Sequence, residues 1–163
     1  MHHCSALQRK GRHLSMSEQK YGLAWSEEFE LGCPQIDAQH KRLFELVNNL
    51  VKACTEGYDR KILNETLDFL VNYTVEHFKD EEEFQLRYNY PGYARHKQLH
   101  EDFKVIVGEK VQEFKESGST IDLSNSVNKV VVQWLINHIQ REDKKIGNHV
   151  RRLELDDNDY GTC

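Results

Sequence analysis

Four stretches of the chain carry apolar residues at three- and four-residue steps, the period of a helix with one buried face. The first follows Gly32-Cys33-Pro34 and repeats through Ile36, His40, Leu43, Val47, Leu50, Val51 and Cys54 before Gly57. Proline is accommodated in a first helical turn, and glycine closes a last one. The second starts after Asp59, a good N-cap, and runs through Leu63, Leu67, Leu70, Val71, Thr74, His77, Phe78, Glu81 and Phe84 to Tyr90-Pro91-Gly92. The third, from about Tyr93 to Ser117, repeats His96, Leu99, His100, Phe103, Ile106, Val107, Val111 and Phe114 before Gly118. The fourth starts near Asp122 or Ser124 and is expected to end near Gly147, with Val127, Val130, Val131, Trp134, Leu135, His138, Ile139 and Ile146 on its stripe. Four amphipathic helices joined by short connectors predict an all-α, antiparallel up-down-up-down four-helix bundle.

The flanks lack this period. Residues 1–20 are polar and read as a disordered arm, and residues 153–163 read as an acidic tail, leaving the bundle to residues 21–152. No apolar run reaches the length of about 20 residues that a spanning helix needs. Residues 1–20 hold no apolar core of a secretory leader, and the four cysteines form no C-x-x-C pair. The expectation is a cytoplasmic protein with free thiols and no membrane partner. A net charge of -5 lacks the basic footprint of a nucleic-acid binder. The sequence names no protein partner.

The chemistry lies in the stripes themselves, where polar residues stand at positions a plain bundle would fill with leucine. His40 is on the first; His77 and Glu81 are one turn apart on the second; His96 and His100 are one turn apart on the third; His138 and Asp143 are on the fourth. Residues four apart share a helix face, so each helix can deliver a side chain to one centre. Five buried imidazoles and two buried carboxylates would be costly to leave unpaired. They are too many for one tetrahedral zinc and suit two metals with nitrogen and oxygen ligands. Iron fits such octahedral, imidazole-rich sites, as do manganese and zinc. No Glu-x-x-His occurs in the chain, which excludes the ferritin-like ligand pattern. One spacing is awkward: His138 and Asp143 are five apart, about 140° round an ideal α-helix, so a local distortion such as a π-bulge is expected there.

The motifs Gln39-His40-Lys41-Arg42-Leu43-Phe44, His77-Phe78-Lys79-Asp80-Glu81, His96-Lys97-Gln98-Leu99-His100 and Trp134-Leu135-Ile136-Asn137-His138-Ile139, followed by Asp143, resemble those of the bacterial hemerythrins over about residues 23–147. The resemblance implies two iron ions, one held by His96, His100 and His138 and the other by His40 and His77. Glu81 and Asp143 would bridge them, with a solvent-derived oxo or hydroxo bridge. Two octahedral metals offer about twelve positions, and this set leaves a single vacancy, on the two-histidine iron, for dioxygen. Leu43, Phe78, Trp134, Leu135 and Ile139 would wall the oxygen pocket. The function implied is reversible dioxygen binding for storage, transport or sensing, with no catalytic residues. The rival is a di-iron oxidoreductase, a peroxidase or nitric-oxide-handling enzyme, using the same site.

Overall fold

A computed structural model describes residues 23–118 and 120–159. Helix α1 spans Pro34–Thr55, α2 spans Arg60–Arg87 and α3 spans Tyr93–Ser117. Helix α4 is one continuous run in five segments. These are Thr120–Ser126, the π-helical Val127–Val132, Gln133–His138, the π-helical Ile139–Asp143, and Lys144–Asp159. The starts and stops are those the capping residues dictate. Asp59 accepts a hydrogen bond from the Ile62 N–H at 3.0 Å, and Gly57 and Gly118 close α1 and α3 in the left-handed region, with φ of 71° and 66°.

Each helix packs on its neighbours in sequence, and α4 closes the ring against α1 and α3. The result is the antiparallel four-helix bundle expected, without strands among the described residues. Its core is built from the stripes, with Leu43, Val47, Leu50, Leu63, Leu67, Leu70 and Ile139 all buried. Ile106 departs from its stripe and is 39% exposed. No helix among the described residues is long and apolar enough to cross a membrane.

The last helix differs from expectation. It does not stop near Gly147 but continues through the first part of the stretch read as a tail, to Asp159. Long-range contacts account for this. The lead-in before α1, which includes a short 3-10 turn at Glu27–Phe29, lies across α4. Lys144 donates to the Glu30 carbonyl at 2.6 Å and Arg151 to the Leu31 carbonyl at 2.8 Å. Gly147 lets the two backbones touch, since a Cβ there would sit 2.4 Å from the Leu31 oxygen. Asp37 fixes the lead-in from the other side, accepting from the Leu31 and Gly32 N–H groups at 2.7 and 3.1 Å. The arm assigned to residues 1–20 lies outside the described residues, as do residues 160–163.

Candidate metal centre

The helix period carries His77 and Glu81 to one face of α2, and His96 and His100 to one face of α3. The pair on α4 needs a different device. In the π turn Ile139–Asp143 the backbone bonds close over five residues instead of four. Asp143 is thereby returned to the face of His138, and its Oδ1 lies 3.1 Å from the His138 Nε2. With His40 from the second turn of α1, all seven side chains meet inside the bundle, none more than 5% exposed.

They meet as two groups sharing their carboxylates. The Nε2 atom of His138 lies 3.0 Å from that of His100 and 3.1 Å from that of His96. Two nitrogens in adjacent positions about 2.1 Å from one octahedral cation would stand about 3.0 Å apart, so the three rings converge at the spacing a single ion requires. His40 and His77 form the second group, ring centroids 4.7 Å apart. Glu81 faces both: Oε1 is 2.7 Å from His96 and 3.8 Å from His100, while Oε2 is 3.4 Å from His77 and 3.9 Å from His40. Asp143 does the same, with Oδ1 toward His96 and His138 and Oδ2 3.3 Å from His40.

Several of these atoms are buried without a hydrogen-bond partner: both ring nitrogens of His40, both oxygens of Asp143, and Oε2 of Glu81. Orphaned buried polar atoms are costly. The His40 Nε2, the Asp143 oxygens and Oε2 of Glu81 face one another, as cation ligands do, and the donor set fits metal binding.

Electrostatics prepares the same outcome. Burial, then the facing imidazoles, pushes His100 down to about 2; burial pushes His138 down to about 4, only partly offset by Asp143. Burial and the neighbouring His40 hold His77 well below its usual range. These rings are therefore neutral at pH 7, the form that donates a lone pair to a metal. Burial acts the same way on His96, but its hydrogen bond to Glu81 and the charges of Glu81 and Asp143 outweigh it, and its pKa rises. Burial, reinforced by Asp143, raises Glu81. Burial would raise Asp143 too, but His138, His40 and His96 outweigh it and hold it well below the usual carboxylate range.

An outer layer orients the rings. The Nδ1 of His77 is 3.1 Å from the Gln39 side-chain oxygen, and the Gln39 amide donates to Asp80 at 2.6 Å. The Nδ1 of His100 is 3.0 Å from Glu82, itself 3.3 Å from the Lys97 ammonium. Gln85, fully buried, donates to Glu81 at 2.9 Å. Sequence reasoning missed all three partners. Gln85 follows Glu81 by four residues and was visible as one more polar residue on the inner face. Gln39 stands directly before His40, and Glu82 lies in the charge run Lys79–Glu83, whose local pattern is that of a solvated face.

Two of the expected pocket-wall residues stack directly on the cluster's rings. Phe78 stacks on His100 with centroids 3.8 Å apart, and Trp134 stacks on His138 at 4.1 Å and on Phe103 at 3.8 Å. Leu43, Leu135 and Ile139 are buried in the same core, while Trp134 is half-buried.

Comparison with known proteins agrees with this arrangement. The family model described as the hemerythrin HHE cation binding domain matches residues 32–150. A bacteriohemerythrin from Stenotrophomonas maltophilia is 35% identical over 79% of this chain and 82% of its own. A myohemerythrin from Theromyzon tessulatum is 33% identical over 74% of this chain and 88% of its own. A crystal structure of wild-type hemerythrin superposes with a TM-score of 0.67 at 31% identity, covering 77% of this chain and 95% of that one.

Proposed function

This chain belongs to the hemerythrin family, and from that premise we propose that it binds dioxygen reversibly at a non-haem di-iron centre, for oxygen storage, transport or sensing. Oxygen binding at such a centre is the function of the family. In this reading His96, His100 and His138 would hold one iron, His40 and His77 would hold the other, and Glu81 and Asp143 would bridge the pair beside an oxo or hydroxo group. The observation that carries it is the division of each carboxylate. Glu81 turns Oε1 to the His96 group and Oε2 to the His77 group, and Asp143 divides its oxygens in the same way. When bound, an iron pair would supply the electrons for reversible oxygen uptake.

The chain's own residues do the rest. Gln39 and Glu82 hold the outer nitrogens of His77 and His100, which fixes the rings with Nε2 turned inward. The group of two imidazoles leaves coordination space that the group of three does not. Leu43, Phe78, Trp134, Leu135 and Ile139 keep water and protons from that space. Asp37 is the one buried acid among the described residues outside the cluster, and both its oxygens are taken by backbone N–H groups. That favours a carrier over an enzyme. The same reading assigns the protein to the cytoplasm.

An iron assay with an optical spectrum tests the proposal: two irons per chain are expected, with azide occupying the open position of the diferric form. A single tightly held zinc with iron rejected would overturn it. Glu81→Ala is expected to disturb both irons and His40→Ala chiefly one. Admitting air to the ferrous protein separates carrier from enzyme. A long-lived oxygenated spectrum marks the first, and immediate oxidation with turnover of an added reductant marks the second.

A further inference from the structure

Helix α4 contains two π segments, and Asp143 accounts for only one. The other, Val127–Val132, carries none of the seven cluster residues. It instead walls a cavity of about 260 Å³ on the far side of the aromatic layer from the metal centre. Leu50, Leu67, Leu70, Phe103, Val127 and Val131 line its interior. Its two polar side chains are already committed: the Thr74 hydroxyl donates to the Leu70 carbonyl at 2.8 Å, and the Lys104 ammonium to Glu101 at 2.6 Å. An apolar lining of this kind holds water poorly and favours apolar gases. With a water's share of liquid volume at about 30 Å³, the space holds several diatomic molecules.

Its two ends give the cavity a direction. The outer end lies where Val75 of α2 and Gly108 of α3 reach the surface, and a Cβ built on Gly108 meets nothing within 4 Å. Glycine inside an exposed helix costs about 1 kcal/mol relative to alanine, and here it leaves the mouth clear. The inner end is Phe103, whose ring stacks on Trp134 at 3.8 Å, which in turn stacks on His138 at 4.1 Å. One aromatic layer therefore separates the cavity from the metal cluster.

We propose that this cavity is a docking chamber for dioxygen, entered past Gly108 and separated from the metal centre by the Phe103–Trp134 stack. The proposal rests on the oxygen-binding reading above, and the experiment keeps the two apart. Crystals of the iron-loaded protein are pressurised with xenon, and oxygen association and dissociation are followed in solution for the parent, for Gly108→Leu, which plugs the mouth, and for Val131→Phe, which fills the chamber from the opposite wall. Xenon is expected between Phe103 and Gly108 in the parent and lost in Val131→Phe, whose ring takes its place. Association and dissociation should slow by the same factor, leaving affinity unchanged, because a plugged route alters passage and not the bound state. No xenon in the parent chamber, or unchanged rates in a folded variant that has lost its xenon, would overturn the proposal. A parent that holds xenon but takes up no oxygen would overturn the reading of the centre instead, and the chamber's role with it.

Discussion

The Oδ1 atom of Asp143 lies 3.1 Å from the Nε2 of His138, although five residues separate the two along one helix. An α-helix would turn them about 140° apart. The π turn reconciles the spacing with the contact by holding one residue more than an α turn, so that the helix on either side keeps its buried face. Such turns have poorer backbone geometry and persist where the surrounding structure requires them.

Deleting Gln140, an exposed residue inside that turn, therefore returns the segment to the four-residue spacing used by His77 and Glu81. The metal-free variant is expected to resist denaturant better than the parent, and to keep its capacity for iron because Asp143 still shares a helix face with His138. Denaturation midpoints and an iron titration on the same preparations check this. A less stable metal-free variant would show that the turn stores no strain.

The metal-free protein should lose stability as pH falls from about 6.5. His138 has a folded pKa of about 4 against the usual value of 6.5. Below 6.5 the unfolded chain takes up a proton that the folded chain refuses, so stability falls until the folded ring also titrates. That single group accounts for roughly 3 kcal/mol between the two values. His100 and His77, also lowered, add to the loss. His96 and Glu81, both raised, work the other way, but they are outnumbered. Urea unfolding at several pH values between 7 and about 4.5 should show a net fall; a flat or rising profile would contradict it.

Glu82→Gln keeps the size of the side chain that meets His100 and removes its charge. Loss of such an outer partner commonly weakens metal affinity by about 10–100-fold. The loss should be confined to the three-histidine group, because His77 leans on Gln39 instead. Stepwise release of iron to a chelator would read this as one accelerated phase beside one unchanged phase.

Leu135 makes no bond to the cluster and is 6% exposed, three residues before His138. Leu135→Ala should cost about 2–5 kcal/mol of stability, as buried leucine truncations do, while iron content stays the same. Wider access for water and protons should make the oxygenated protein autoxidise faster. Equal decay rates in fully loaded parent and variant would leave Leu135 as core packing alone.

The helices were legible because their ends are written locally. Asp59, Gly57 and Gly118 act on their own turns, and the stripes repeat at the period of the structure that buries them. The seven candidate ligands were legible for the same reason, since a histidine on an apolar face cannot be satisfied by solvent. What was not legible depends on distant partners. Lys144 and Arg151 extend the last helix by bonding to a lead-in more than a hundred residues away. Glu82 belongs to the inner chemistry only because α3 brings His100 to it. The apolar cavity has no signal at all in the stripes, since the residues around it look the same whether or not they meet.

The crossing of the lead-in over Gly147 also bears on how the molecule is made. Synthesis runs from the N-terminus, and the two groups share Asp143, which emerges from the ribosome after the other six side chains of the cluster. A nascent chain that ends before Asp143 has neither the second carboxylate nor the helix that the lead-in rests on. In the proposed reading, loading of a complete pair would wait until Asp143 and the rest of α4 have been made, and would close when the lead-in settles against that helix.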